Sequence, residues 1–164
     1  MVEFGGGGFA TISYASYLYK LVVNKHISGK TIFRGTSLGS FWAVCAAVMS
    51  GDRRVMSFSE RKELFLKMCS VLVRFCENVH CGWFASRGMC KSYFDYALSL
   101  IPDILLEDIG KRVQMFTTKI EILKKPLKFL SCKKVILTGF KNTTELAESC
   151  AASQYIPLWT MIVT

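Results

Sequence analysis

Residues 31–49 read Thr-Ile-Phe-Arg-Gly-Thr-Ser-Leu-Gly-Ser-Phe-Trp-Ala-Val-Cys-Ala-Ala-Val-Met. Thr31 to Phe33 is a short β-prone run, and Phe41 to Met49 is apolar throughout, which is the composition of a helix buried on every side. Between them Gly35-Thr36-Ser37-Leu38-Gly39 leaves space only for a sharp turn. The unit is strand, tight turn, buried helix. The chain opens on the same arrangement: Val2 to Phe4 runs into Gly5-Gly6-Gly7-Gly8, and Phe9 to Val23 then carries Ile12, Ala15, Tyr19 and Val22 at helical spacing.

Downstream, Phe58 to Val79 places Leu64, Phe65, Met68, Val71, Leu72, Phe75 and Val79 on one helical stripe, with Ser57 or Ser59 as its cap. Cys81 to Arg87 reads as loop, Tyr93 to Leu100 as a helix ended by Pro102, and Leu105 to Ile109 as a short turn. Val113 to Ile122 alternates and Lys133 to Phe140 is β-branched and apolar, so both read as strands. Thr143 or Thr144 caps a helix through Ala152, ahead of Ile156-Pro157. Strands alternating with helices define an α/β domain whose central sheet is largely parallel, without internal repeats. A length of 164 residues is that of one domain, 1–164.

With 51% hydrophobic residues, 20% charged and only 3 prolines, the chain is not of disordered composition. Its 21 Lys and Arg against 12 Asp and Glu give a formal charge of +9, which favours an anionic partner. No Asp or Glu occurs between Phe4 and Gly51, where Lys20, Lys25, Lys30 and Arg34 stand. Lys124, Lys125, Lys128, Lys133 and Lys134 flank strands as a solvated face, so nucleic acid is not expected. The 7 cysteines, at 45, 69, 76, 81, 90, 132 and 150, lack a C-x-x-C and lie mostly in apolar runs, as core thiols in a reducing compartment do. Cys76, His80, Cys81 and Cys90 fit no standard zinc spacing, and no metal is expected. Met1 is followed by Glu3 and a glycine run rather than a secretory signal, and the uncharged runs are shorter than the roughly 18–20 apolar residues a membrane-spanning helix needs.

Three chemistries use a glycine-rich turn of this kind. A P-loop is excluded because Ser28-Gly29-Lys30-Thr31 follows a helix and Asn24 occupies its first glycine position. Gly5, Gly7 and Ala10 can be written as a dinucleotide fingerprint, but the acid expected about 20 residues later is absent from this acid-free stretch. No cofactor is therefore expected. Acyl transfer remains: Gly35-Thr36-Ser37-Leu38-Gly39 is a G-x-S-x-G at a strand-to-helix turn, which exposes the Ser37 hydroxyl at a helix N-terminus. Gly6, Gly7 and Gly8 can bring backbone N–H groups to a developing oxyanion without side-chain obstruction.

These residues resemble the patatin-like phospholipases. That family opens with a strand, a G-G-G-hydrophobic-x-G oxyanion loop, a helix and a G-x-S-x-G elbow, matched here by Gly6-Gly7-Gly8-Phe9 and by Gly35 to Gly39. Ile101-Pro102-Asp103, Phe116-Thr117-Thr118, Val135 to Phe140, Glu145-Leu146 and Ser149 to Pro157 follow in the family's order, so the likeness covers nearly the whole chain. Thr11 stands where the last glycine of the loop usually is.

The resemblance implies a three-layer sandwich around a mostly parallel sheet, incomplete at its C-terminal end. It also implies a lipid acyl hydrolase of the phospholipase, lysophospholipase or acylglycerol lipase type, with Ser37 as nucleophile. The N–H groups of Gly7 and Gly8 would hold the oxyanion. The family's Ser–Asp dyad takes its Asp from an Asp-Gly-Gly or Asp-Gly-Ala motif, whereas Asp52, Asp95, Asp103 and Asp108 are followed by Arg, Tyr, Ile and Ile, so no Asp of this chain fits. His26 and His80 are the alternative bases; one looks like a loop residue and the other ends a long helix. The expected substrates are lipid acyl esters, met at an anionic membrane surface from the cytoplasm, the membrane periphery or a lipid droplet. The alternative expectation is an inactive relative that binds lipid or membrane without turnover.

Overall fold

The apolar runs and glycine turns become a four-stranded sheet of order β1-β2-β3-β4 in the computed structural model, which describes residues 1–6, 8–78, 87–122 and 130–154. The strands are β1 (Val2–Phe4), β2 (Phe33–Thr36), β3 (Val113–Ile122) and β4 (Leu130–Leu137). β1, β2 and β3 run parallel, with Phe4 opposite Gly35 and Gly35 opposite Met115. β4 pairs antiparallel with β3, Met115 facing Leu137. The chain is therefore α/β with a mostly parallel sheet. Among the described residues it also holds the helices α1 (Tyr14–Val23), α2 (Leu38–Ser50), α3 (Phe58–Asn78), α4 (Arg87–Ser99), α5 (Leu106–Arg112) and α6 (Thr143–Ser153).

Both crossovers, β1 to β2 and β2 to β3, step in the same direction across the sheet. Right-handed crossovers that do not reverse direction put their helices on one face. That face carries Phe4, Phe33, Val113 and Met115, all buried. The opposite face is polar and partly open: Arg34 donates from Nε to Gln114 Oε1 at 2.8 Å, the Lys134 ammonium sits 3.9 Å from the centroid of the Phe116 ring, and Ile136 is 50% exposed. The second helical layer of a three-layer sandwich is thus not among the described residues.

α2 is the centre of the helical layer. Every residue from Leu38 to Ser50 is buried, with α1, α3, α5 and α6 around it. Its aromatic side chains join the sheet to the outer helices. Tyr14 meets Phe4 at 5.9 Å between centroids and the Trp42 edge at 6.5 Å, while Phe41 meets Trp42 at 5.5 Å and Phe94 at 5.9 Å. Burial pushes the Cys69 thiol up to about 12 and raises those of Cys45 and Cys150 as well, so these three stay protonated in the core.

A helix buried along its whole length has carbonyls at its C-terminal end that water cannot reach. Two arginines supply the donors. Arg61, 1% exposed, gives Nη1 to Val48 O at 2.7 Å, Nη2 to Asp52 O at 2.7 Å and Nε to Met56 O at 3.0 Å. Arg112 bonds Ala47 O and the Ser50 hydroxyl, and its charge is matched by Asp108 one helical turn earlier. Gly51 is the residue that makes this possible, because a Cβ there would lie 2.8 Å from Arg61 Cζ.

Several element bounds differ from the sequence reading. Residues 8–13 wind as a 3₁₀ segment, and the α-helix begins only at Tyr14. β2 runs on through Gly35 and Thr36, and α2 starts at Leu38 rather than Phe41. β4 lies at 130–137, earlier than expected. α4 starts at Arg87, and the turn near Leu105 is a 3₁₀ segment followed by α5. α3 does carry the Ser57 cap, as a reciprocal pair in which Ser57 N donates to Glu60 Oε2 at 2.9 Å and Glu60 N to Ser57 Oγ at 3.3 Å. α6 is capped by Asn142, whose extended backbone lets Oδ1 accept from Glu145 N at 2.8 Å, rather than by Thr143 or Thr144. The loop at 81–86 and the Ile156-Pro157 segment lie outside the described residues.

Arg61→Met should remove three hydrogen bonds, leaving the buried Val48 carbonyl without its arginine donor while Asp52 O keeps Val55 N, and destabilise the fold by about 3 kcal/mol, measured as a fall in the urea midpoint at unchanged slope. Stability within about 0.5 kcal/mol of wild type would show that the clasp is not what satisfies α2.

Candidate active site

Ser37 sits between the last residue of β2 and the first of α2, half-buried, with φ 56° and ψ −135°. A side chain in the left-handed half of the map costs of order 1–3 kcal/mol and persists only where the surroundings enforce it. A serine before a helix ordinarily adopts extended backbone and caps the helix with its Oγ. Ser37 does neither. Its side chain makes no capping bond, and the first turn is closed through its carbonyl, which accepts from Ser40 N at 2.9 Å. The hydroxyl is left at the positive end of the α2 dipole, with no hydrogen-bond partner among the described residues.

The glycines of the turn follow from sterics. A Cβ on Gly39 would lie 2.7 Å from Gly5 O and deep inside contact distance of Phe4 O. One on Gly35 would lie 2.5 Å from Gly39 O and 2.6 Å from Ser40 N. The end of β1, the end of β2 and the first turn of α2 are therefore in backbone contact, and only residues without a side chain permit it. Thr36 is exposed and Leu38 is buried in the core.

Gly6 brings the upstream glycine run to the same point. A Cβ there would be 3.0 Å from Ser37 Cβ and 3.7 Å from Ser37 Oγ. Gly8 opens the 3₁₀ segment, and Gly7 lies outside the described residues. Thr11, which stands where the resembled family has a glycine, is 2% exposed and its Oγ1 accepts from Trp42 Nε1 at 2.9 Å. The hydroxyl thus ties the segment after the glycine run to the helix after the serine.

The sequence reading gave no role to Ser40 or Ser153. Ser153, the last residue of α6, accepts Ser37 N–H at 2.9 Å and the Ser40 hydroxyl at 2.8 Å, and donates to Phe116 O at 2.6 Å. Its only sequence signal was its place in the Ala152-Ser153 part of the stretch that carried the resemblance.

The described acids and His26 are placed elsewhere. Asp52 is an exposed partner of Arg54, whose guanidinium holds the carboxyl down at about 2. Asp95 pairs with Lys91, and Asp108 with Arg112. His26 is exposed in the turn after α1. His80 and Cys81 lie outside the described residues, as do the side chains of Cys76 and Cys90. Among the described residues no cluster of His, Cys, Asp and Glu is arranged to hold a metal ion, and no helix is long and apolar enough to cross a membrane. An apolar pocket lies between α2, α3 and α4, lined by Phe41, Leu72, Phe75, Tyr93 and Phe94.

The site is thus a strained serine at a strand-to-helix elbow of an α/β domain, with a glycine segment against it. No family model matches the chain, and neither a curated protein nor a solved structure matches it.

Ser37→Gly should relieve the backbone strain and leave the protein at least as stable as wild type, by up to about 1 kcal/mol, since glycine's greater unfolded-state freedom offsets part of the gain. Ser37→Ala keeps the strain and should change stability by less than about 0.5 kcal/mol. Thermal unfolding of both variants checks this; a clear loss of stability in Ser37→Gly would overturn the assignment of strain.

Proposed function

We propose that the chain is a patatin-like serine acyl-hydrolase domain acting on lipid acyl esters. The observation that carries this reading is the conformation of Ser37. A serine held at φ 56°, free of any capping role and pressed against a glycine segment, has no packing purpose that an unstrained residue would not serve better. In the proposed reaction Ser37 Oγ attacks the ester carbonyl while a general base takes its proton. The tetrahedral oxyanion is held by N–H groups of the Gly6, Gly7 and Gly8 segment, and collapse releases the alcohol and leaves an acyl-serine for water to hydrolyse.

The base is the component these residues do not provide, because no Asp of the sequence precedes a glycine and no described acid or histidine bonds to Ser37 Oγ. That observation favours a second reading, a relative that retains the lipid-facing elements without turnover. The formal charge of +9 supports docking at an anionic lipid surface in either case.

Hydrolysis of a lysophospholipid or a p-nitrophenyl ester by this chain should be slow or undetectable. Joining an Asp-Gly-Gly-bearing segment should raise the rate roughly 10²–10⁴-fold, the usual contribution of a general base. Ser37→Ala in the joined protein should abolish turnover and leave sedimentation with anionic vesicles unchanged. Undiminished hydrolysis with alanine at 37 would remove Ser37 as nucleophile, and a joined protein that binds vesicles but never turns over would favour the second reading.

A further inference from the structure

We infer that Ser153 is a positioning residue, the one that fixes the nucleophile turn from its far side; as a statement about catalysis, this rests on the acyl-hydrolase reading. The hydroxyl of Ser153 has one proton and two lone pairs. The proton goes to Phe116 O at 2.6 Å, so the lone pairs are the acceptors for Ser37 N–H at 2.9 Å and for the Ser40 hydroxyl at 2.8 Å. One oxygen therefore joins the C-terminal end of α6, the backbone of β3 and both ends of the first turn of α2. Its capacity is filled.

The consequence for Ser37 is geometric. Its φ of 56° needs the peptide plane before it to be held in one orientation, and the N–H of that plane points at Ser153. Steric contact at Gly35 and Gly39 sets how close the turn lies to the sheet, but it leaves the peptide free to rotate about its ends. The hydrogen bond to Ser153 removes that freedom. It also commits the Ser37 N–H, which is then unavailable to an oxyanion and leaves that role to other amides, those of the glycine segment beside Gly6 among them. α6, distant in sequence from the elbow, is in this way a structural part of the site.

The test uses the full chain with Ser153→Ala and Ser153→Thr, the second of which retains a hydroxyl. Two quantities are read: amide hydrogen exchange at Ser37 in the chain itself and, with the Asp-Gly-Gly-bearing segment joined, the rate of covalent labelling of Ser37 by a fluorophosphonate, resolved into its maximal rate and its half-saturating concentration. In Ser153→Ala, exchange at Ser37 should be about tenfold faster, as the loss of one net hydrogen bond predicts. The maximal labelling rate should fall about tenfold at an unchanged half-saturating concentration, and Ser153→Thr should restore both to within about twofold. If Ser153→Ala does not fold, Ser153→Cys, with its weaker donor and acceptor, makes the same comparison.

Unchanged exchange and labelling in the alanine variant, or a threonine variant as impaired as the alanine one, would overturn the inference. The two readings also fail separately. Loss of Ser37 amide protection in Ser153→Ala, with no labelling of the wild type even when joined to the Asp-Gly-Gly-bearing segment, keeps the positioning role and removes the nucleophile. Wild-type labelling at Ser37 that Ser153→Ala does not slow keeps the nucleophile and removes the positioning role.

Discussion

The backbone of Gly39, in the first turn of α2, lies so close to the carbonyls of Phe4 and Gly5 at the end of β1 that no side chain fits between them. Everything about the site depends on it. A side chain at residue 39 would push α2 away from the sheet, remove the partner that Gly35 finds in Ser40, and give Ser37 room to relax into ordinary capping geometry. With the contact in place, the chain must pass from the end of β2 into α2 within one residue, and Ser37 takes the strained conformation that this demands.

A helix held so tightly to the sheet and covered by four other helices must have both ends satisfied without water. The C-terminal end is closed by Arg61 and Arg112, which place two guanidinium groups against the negative pole of the dipole. Burial lowers the pKa of Arg61, an effect that Asp108 and Asp52 oppose, and arginine stays charged regardless. The N-terminal end is closed by backbone and by Ser153, so the Ser37 hydroxyl is spent on neither end. This asymmetry separates structural from chemical duty along one helix. The cations stabilise it and the hydroxyl is left over.

The polar face of the sheet is consistent with the same economy of layers. Because the crossovers never reverse, the described helices accumulate on one side, and the other side is finished with Arg34, Gln114, Lys134 and a shielded Phe116 instead of a core.

Residues that report on their own neighbourhood were legible in the sequence. The uninterrupted apolar run of α2 fixed its burial, and the β-prone runs before the two glycine turns fixed two parallel strands. The Ser57–Glu60 spacing fixed the start of α3. Bounds slipped where a residue of poor propensity was recruited by pairing: Gly35 and Thr36 read as turn but are hydrogen-bonded into the sheet, and Gly39 and Ser40 read as turn but begin α2. Asn142 outcompeted Thr143 as a cap because cap geometry depends on a backbone angle that composition does not encode. The G-x-S-x-G spacing marked Ser37. What only the tertiary structure decided is that its hydroxyl does not cap the helix, that Gly6 lies against it, and that Ser153 holds its amide from more than a hundred residues away. A sequence pattern records which local conformations are affordable; which distant group meets the turn is set by the packing of α6 and β3 against α2, and no local pattern contains it.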